Sequence, residues 1–273
     1  MALNSYDSLM ASIAAGKAQE IFFNKAVTQN SAGQAASLWT EDAYPAAGGY
    51  GTSLNARNCG NTTTGGLFFG NPSGTDSLYL VAGEVVPSAS SIGSLMLYDR
   101  LADISGIDMT TLAAQNFSMS ALPRYATGAG VQMFLEVTTT ISGTPPVFTI
   151  NYTNQGGTAS RTTGAVTCAA NSANRLAYSG SIYIPLQSGD SGVRTAQSIT
   201  LSVAASAGVC ALVFARPLVS LPLLTAGAVV ERDFVTQVPR MPPLEDNHCL
   251  ALLTYGTGST TGSLNGRFSA IAG

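Results

Sequence analysis

The chain has 273 residues and a net charge of −3 at pH 7, and only 10% of its residues are charged. Soluble globular proteins carry roughly 25% charged residues, so this surface is unusually neutral. The two lysines are Lys17 and Lys25, and the ten arginines are scattered singly along the chain. Because no basic cluster exists, we do not expect nucleic acid to be the main partner.

A surface with so few charges has two interpretations. One is a β protein that is solvated through serine and threonine hydroxyls, and the other is a subunit covered by its neighbours. Interspersed charge keeps protein surfaces apart, and arginine tolerates interfaces better than lysine because its planar head is weakly hydrated. Both interpretations stay open, although the excess of arginine over lysine fits the second.

The N-terminal segment, residues 1–30, is predicted to be helical, with the helix itself over residues 5–25. Apolar residues recur there at helical spacing on one side: Leu9, Met10, Ile13, Ala14, Ile21 and Phe22. Such a stripe packs on its own domain or docks on a neighbouring subunit. Leu9, Ile13 and Phe22 are therefore candidates for contact with a neighbouring subunit.

Residues 31–75 contain successive glycine-rich turn clusters, which predict a long loop region. Aromatic residues are interspersed through it, so we predict an ordered, packed excursion rather than disorder. Trp39, the single tryptophan, is expected to anchor this region to the body of the protein. Tyr44 and Tyr50 are expected to be exposed, and all three aromatic residues are contact candidates.

Residues 76–233 are predicted to form a mainly β body, a β-sandwich or jelly roll. Period-two alternation is clearest within residues 122–162, where the glycine pair Gly156-Gly157 suits a tight turn. The predicted strands cover residues 77–86, 94–101, 131–137, 148–153, 181–186, 198–205 and 209–214. Glycine, serine and asparagine separate these runs, which is typical of sandwiches and barrels rather than βαβ units.

The C-terminal segment, residues 234–273, is predicted to be an extended arm followed by a final strand. Three prolines fall within residues 234–247, so this part is expected to run extended along a surface, its own or a neighbour's. Arg240, Met241 and Pro242 are contact candidates on the arm. The final strand is predicted over residues 249–255, with a glycine- and serine-rich tail after it.

Few groups in the sequence suit catalysis, and we predict that the protein is not an enzyme. The sequence contains no GxSxG serine that the one histidine, His248, could activate, and no phosphate-binding GxxxxGK motif is present. Glu231 and Asp233, or Glu245 and Asp246, offer a carboxylate pair for glycoside cleavage. The simpler interpretation places them in solvated turns or in ion pairs with Arg232 and Arg240.

The remaining charged and sulfur-containing side chains are interpreted as structural. Asp99, Arg100 and Asp103 are expected to form local ion pairs beside a sheet edge. Cys168 and Cys210 lie in apolar runs and are expected to be small buried residues. The four cysteines show no CxxC spacing, so neither a metal nor a cofactor is expected.

A membrane location is not expected from the sequence. The most apolar stretch, residues 209–224, is interrupted by Arg216 and Pro217 and is too short to span a bilayer. The N-terminus lacks a basic region followed by an apolar run, so no signal peptide is expected.

Three segments resemble a recurring pattern in virion structural proteins of tailed bacteriophages. They are SLMLYDRLADISGID (94–108), ALPRYATGAGVQMFLEV (121–137) and INYTNQGGTASRTT (150–163). The resemblance covers about residues 90 to 220 and is to head proteins of the minor capsid, cement or decoration type. It implies a non-enzymatic protein placed on or between major capsid subunits, often as a trimer, in virions assembled in the bacterial cytoplasm.

The expected function is therefore stabilisation of a phage capsid shell through contacts with the major capsid protein and with copies of itself. The alternative is a receptor- or glycan-binding head-fibre or tail protein. The threonine-, glycine- and asparagine-rich loops near Tyr44 and Tyr50 support that alternative, with a host glycan as the partner.

Overall fold

A computed structural model of the protein describes residues 3, 5–28, 31–168, 172–178, 181–259 and 261–273. The protein is mainly β, with one short α-helix near the N-terminus, α1 (Tyr6–Ala14), and a single 3-10 turn over Ser90–Ile92 among the described residues. The first strands are β1 (Ala18–Val27), β2 (Ala35–Ser37), β3 (Ala43–Tyr44), β4 (Arg57–Asn58), β5 (Leu78–Pro87), β6 (Gly93–Asp108), β7 (Gln115–Asn116) and β8 (Gln132–Ser142). The others are β9 (Val147–Asn154), β10 (Arg161–Thr162), β11 (Val166–Thr167), β12 (Val193–Val203), β13 (Ala207–Leu223), β14 (Val230–Asp233), β15 (Pro243–Leu244), β16 (Leu250–Tyr255) and β17 (Gly262–Ala272).

The strands of the described residues form three antiparallel sheets. The terminal sheet has the order β14-β5-β17-β1-β3, with β15 also paired to β5. The central sheet has the order β2-β16-β6-β13-β8, with β4 also paired to β6. The outer sheet has the order β10-β9-β12-β7, with β11 also paired to β9.

Two long neighbouring strands of the central sheet, β6 and β13, connect both large hydrophobic cores. Ile104 and Leu212 belong to the core shared with the outer sheet. Leu97 and Leu221, farther along the same strands, belong to the core shared with the terminal sheet. The near-continuous apolar sequence of β13 follows from this position, because a strand covered on both faces needs no polar alternation.

The central sheet curls until a short segment, residues 174–177, joins its two edges. The Ala177 N–H donates to the Leu135 carbonyl of β8 at 2.8 Å, and the Leu176 N–H donates to the Ala35 carbonyl of β2 at 3.0 Å. A third core fills the inside of this ring: Ala35, Trp39, Cys59, Tyr98, Phe134, Leu176, Val213, Ala215, Cys249, Ala251 and Leu253. Backbone groups on these two edges are thereby paired within the chain, so fewer of them are free to hydrogen-bond to another chain.

A buried ion network lies inside the ring, not beside a sheet edge as predicted. The pairing of β6 with β13 shifts at Leu101, which is an extra residue in β6. This bulge brings Arg100 and Asp103, three residues apart, to the same face of the strand, with N–O separation of 3.2 Å. Arg100 also pairs with Glu136 of β8 at 3.0 Å, and all three side chains are fully buried.

Asp99, the third predicted member of the local pairs, takes a distant partner instead. Arg124 donates to both of its carboxylate oxygens, at 2.7 and 2.9 Å. Arg124 also donates to the Cys59 and Arg100 carbonyls, so the loop before β8 is fixed to β6 and to the residue that follows β4. A buried charge pair of this geometry is stable because each polar atom finds a partner.

The predicted helix over residues 5–25 is only half correct. The helix ends after Ala14, because Gly16 adopts a left-handed φ of +71° that a helix cannot continue through. The second half is strand β1, which pairs with β17 over ten residues. Phe22 is consequently 58% exposed, whereas Phe23 is buried and stacks on Phe268 with 5.5 Å between ring centroids.

The predicted C-terminal arm and tail also differ from the structure. Residues 234–240 form turns and bends rather than an extended arm, and Phe234 is fully buried. Only β15 is extended, and it pairs with the chain's own strand β5. The predicted tail is strand β17, which lies in the middle of the terminal sheet between β5 and β1. Its glycines and serines masked the alternating Leu264, Phe268 and Ala270 that face the core.

The strand predictions for the body are confirmed with one exception. Strands β5, β6, β8, β9, β12 and β13 overlap the predicted runs of the body, and β6 and β13 extend well beyond them. Strand β16 likewise overlaps the final strand predicted for the C-terminal segment. The turn at Gly156-Gly157 is confirmed, since it returns β9 into its neighbour β10. Residues 181–186 were predicted as a strand and are not one, because Pro185 lacks the N–H that a ladder requires. Ile184 is nevertheless buried, and its N–H donates to Met133 at 2.8 Å.

We expect Phe23→Ala to lower the free energy of unfolding by about 3–5 kcal/mol, because it empties a site in the terminal-sheet core. Phe22→Ala is the matched control on the same strand and should change stability by less than about 0.5 kcal/mol. Urea unfolding followed by circular dichroism measures both. Equal losses would mean that residues 18–27 are not a strand with alternating faces.

We expect Glu136→Gln to destabilise the protein by about 3–5 kcal/mol, because it leaves the buried Arg100 short of a compensating charge. The control is Glu84→Gln, which breaks the partly exposed pair with Arg267 on the outer face of the terminal sheet. That change should cost less than about 1 kcal/mol. A Glu136→Gln variant as stable as the control would contradict the buried network.

Candidate functional site

An open groove lies between residues 61–68, which we call the threonine-rich loop after β4, and the loop after β3, which begins at Pro45. Its volume is about 290 Å³. The lining residues are Ile21, Tyr44, Pro45, Ala46, Asn61, Thr62, Thr63, Thr64, Gly65, Gly66, Leu67 and Phe68. None of these residues is charged, so the groove offers aromatic, hydroxyl and amide groups without a net electrostatic preference.

The threonine-rich loop is fixed by backbone contacts from several sides. The Gly60 N–H donates to the Thr63 hydroxyl at 2.9 Å, and Leu67 exchanges two 2.8 Å backbone hydrogen bonds with Leu250. Gly65 has a φ of +98°, and a Cβ there would lie 2.5 Å from the Gly48 Cα. The close approach of these two loops therefore requires glycine at position 65.

Two exposed aromatic rings flank the groove. Tyr44 is 63% exposed on β3, where it pairs with Asn24 of β1. Phe68 is 46% exposed and comes two residues before Gly70. The Gln19 side-chain amide holds the Gly70 backbone with hydrogen bonds of 2.7 and 3.0 Å, which fixes the chain beside Phe68. Both rings are thus held on supported backbone while remaining open to solvent.

The single histidine supports this region from behind through hydrogen bonds to two backbone groups. The Nε2 atom of His248 accepts from the Phe69 N–H at 2.9 Å, and Nδ1 lies 3.0 Å from the Glu245 carbonyl. A carbonyl only accepts, so Nδ1 carries the proton and the ring is neutral. Burial lowers the pKa of His248 below its ordinary value, consistent with this neutral form.

Trp39 anchors the long loop region below the groove, as expected. It is buried, and its Nε1–H donates to the Gly49 carbonyl at 2.8 Å. The Arg100 guanidinium lies 4.4 Å from the centroid of its ring and 5.5 Å from that of Tyr50. Tyr50 was expected to be exposed, but it is half-buried against the third core and does not reach the groove. The cation–π contact with Arg100 explains its inward position.

A second candidate surface is the outward face of α1. Tyr6, Met10 and Ile13 occur at spacings of four and three residues, so they share one face of the helix. They are 69%, 49% and 43% exposed. Leu9, named as a contact candidate, is buried against the protein's own body instead. Ser5 caps the helix by accepting from the Ser8 N–H at 3.1 Å, so this face is presented on a defined element.

The three candidates on the proline-rich segment line a separate cleft. Arg240, Met241 and Pro242 border a volume of about 220 Å³ together with Tyr125 and Arg216. Arg216 is engaged, because it donates to the Ala129 carbonyl at 3.0 Å and lies over the Tyr125 ring. The structure therefore separates the sequence-predicted contact residues into different places rather than joining them in one site.

Asp233, one of the carboxylates considered for glycoside cleavage, has structural contacts. Asp233 accepts from the Val235 N–H at 2.7 Å and from the Thr236 hydroxyl at 2.6 Å, which holds the turn after β14. These hydrogen bonds, led by that of Thr236, lower the pKa of Asp233. Arg232, the predicted ion-pair partner, instead donates to the Ser220 carbonyl at 2.6 Å.

A metal site needs several ligating side chains close together, and a membrane span needs a long apolar helix. Cys59, Cys168, Cys210 and Cys249 are free and buried, and burial raises the pKa of Cys168 to about 12. No cluster of three or more histidine, cysteine, aspartate or glutamate side chains suited to a metal occurs among the described residues. Within those ranges, no helix has the length and apolar character needed to cross a membrane.

Comparisons with known proteins give little further information. No protein-family model matches the chain, and no curated protein sequence matches it. A solved chain of T=1 particles derived from infectious bursal disease virus is 11% identical, covers 94% of this chain and 78% of its own, and has a TM-score of 0.18. A chain of the Gt strain of that virus is also 11% identical, with coverages of 94% and 81% and a TM-score of 0.16. TM-scores this low do not establish a shared fold, so we conclude nothing about this protein from them.

We expect the free energy of unfolding to fall as the pH drops below about 6.5, which is the ordinary pKa of a histidine in an unfolded chain. The folded pKa of His248 is lowered, so the unfolded chain binds the extra proton first and stability rises with pH up to that value. Unfolding free energies between pH 5.5 and 7.5 measure the slope. His248→Gln cannot titrate in this range and should have a flatter profile. Identical slopes in the two proteins would contradict the assignment.

Proposed function

We propose that this protein is a structural subunit of a virion that binds the capsid shell and copies of itself through protein–protein contacts. The observation that carries the proposal is the outward face of α1. Three large apolar side chains, Tyr6, Met10 and Ile13, are exposed together on it. An exposed apolar patch on a defined element is typical of a surface that a partner covers.

The charge of the surface supports the same proposal. Asp7 is the sole charged residue of α1, and the whole chain carries only 10% charged residues. Like charges facing each other would oppose association, so a nearly neutral face suits close packing against a copy or a shell subunit. Phe22 adds a further exposed apolar group on the outer face of the terminal sheet.

The particle and the finer fold class belong to the proposal as well. The motif resemblance described above suggests the head of a tailed bacteriophage, with this protein as a cement, decoration or minor capsid subunit, arranged as a trimer and assembled in the bacterial cytoplasm. Jelly rolls are common in capsid proteins, and a jelly-roll relationship is the fold class we propose for the antiparallel sheets. We propose no enzymatic activity for the protein.

The combined change Tyr6→Ser, Met10→Gln and Ile13→Gln should abolish self-association while leaving the unfolding midpoint nearly unchanged, since these side chains are exposed. Light scattering over a concentration series gives the oligomer mass. Leu224→Ser, at an even more exposed apolar site beyond β13, is the control and should associate like the wild type. A monomeric wild type, or a triple variant that associates normally, would contradict the role of α1.

The virion assignment has its own test. Mass spectrometry of purified particles from an infected culture should find the protein at a fixed ratio to the major capsid protein. Electron cryomicroscopy of those particles should then place α1 against a neighbouring subunit. Absence of the protein from purified particles would rule out the virion role, whatever its oligomeric state.

A further inference from the structure

We propose that the groove between Tyr44 and the threonine-rich loop is a binding site for a neutral carbohydrate. This inference goes beyond the proposed assembly role and uses a different surface. It rests on three properties of the groove: its aromatic walls, its unused polar groups and its lack of charge.

The aromatic walls suit the apolar faces of a sugar ring. A pyranose presents C–H groups on its faces, and these pack favourably against the electron-rich face of an aromatic ring. Tyr44 and Phe68 flank the groove and are 63% and 46% exposed. Because both rings lie on supported backbone, little conformational freedom is lost when a sugar packs against them.

The polar groups of the groove have hydrogen-bonding capacity to spare. No side-chain hydrogen bond joins Asn61, Thr62 or Thr64 to another of the described residues, although all three line the groove. A hydroxyl both donates and accepts, and an amide offers two donors and an acceptor, which matches the hydroxyls of a sugar. An apolar protein side chain in this place would leave these groups without partners, which is unfavourable. A carbohydrate is thus the better occupant.

The absence of charged lining residues selects the kind of sugar. Acidic sugars such as sialic acid are bound through arginine, lysine or directed backbone amides, and no cationic side chain lines this groove. A volume of about 290 Å³ is at the small end of ligand sites and suits a mono- or disaccharide unit. We therefore assign neutral hexoses and N-acetylhexosamines as the ligand class.

Saturation-transfer NMR on the full chain tests the proposal directly. The probes are the methyl pyranosides of glucose, galactose, mannose and N-acetylglucosamine, with N-acetylneuraminic acid as the charged comparison. At least one neutral pyranoside should show transfer and N-acetylneuraminic acid should not. Silence from all four neutral probes, or transfer to N-acetylneuraminic acid alone, would overturn the proposal.

Variants then place the binding in the groove. Tyr44→Ala and Phe68→Ala should each lower the affinity for the pyranoside that shows transfer about tenfold, which corresponds to about 1.4 kcal/mol. Phe68→Trp retains an aromatic face and should retain binding, which separates loss of the ring from loss of folding. Phe22→Ala removes an exposed ring outside the groove and should bind like the wild type. Unchanged binding in both alanine variants would overturn the assignment of the site.

The hydroxyl groups have a separate, nearly isosteric test. The double change Thr62→Val and Thr64→Val keeps the shape of the loop and removes two hydroxyls, so it should weaken binding of the same pyranoside. If instead Tyr44→Ala alters the oligomer mass and no pyranoside binds, the groove is a protein contact and the carbohydrate proposal is wrong. The α1 triple variant should bind the pyranoside normally, which keeps this test independent of the assembly role.

Discussion

The pairing of β6 with β13 is the interaction on which the rest of the structure depends. These strands, of 16 and 17 residues, place apolar side chains in all three cores. The terminal and outer sheets pack against different halves of the same two strands. Substitutions that interrupt the apolar run of β13 would therefore destabilise both sheets at once, since neither sheet has another large apolar surface on which to pack.

The bulge at Leu101 connects this pairing to the candidate groove. By turning Arg100 and Asp103 to one face, it places a guanidinium inside the ring, where Trp39 packs over it. The indole of Trp39 in turn supports the backbone at Gly48 and Gly65, which belongs to the threonine-rich loop. A buried charge is costly unless it is fully paired. The position of an exposed loop thus depends on an ion network that only the Trp39 indole separates from it.

Sequence reasoning was successful where a local pattern determines the local structure. The alternation of residues 131–137 and 148–153 predicted β8 and β9, because period two has only one structural meaning. It failed where the same residues suit two structures: Ile21 and Phe22 continue a helical stripe, yet Gly16 ends the helix and Phe23 faces the core of a strand.

Long-range pairing explains the remaining differences. Strand β17 was interpreted as a tail because its glycines and serines weaken the apolar signal, and only its position between β5 and β1 stabilises it as a strand. The groove was predicted only in part for a related reason. Tyr44 was named from its glycine-rich surroundings, but its proximity to residues 61–68 arises from loops that meet across Trp39, which no local pattern encodes.

The central position of β17 has a consequence for how the protein folds during synthesis. Strands β5 and β1 each pair along their length with β17, and its residues, 262–272, leave the ribosome after those of every other strand described here. All strands of the central and outer sheets precede β17 in the sequence, whereas β1 is synthesised long before β17, its neighbour in the sheet. Contacts between such distant parts of a chain form slowly, so we infer that the terminal sheet is completed last of the three. Until then the apolar faces of β1 and β5 are open to other chains, and folding of this protein should be most vulnerable to aggregation in that interval.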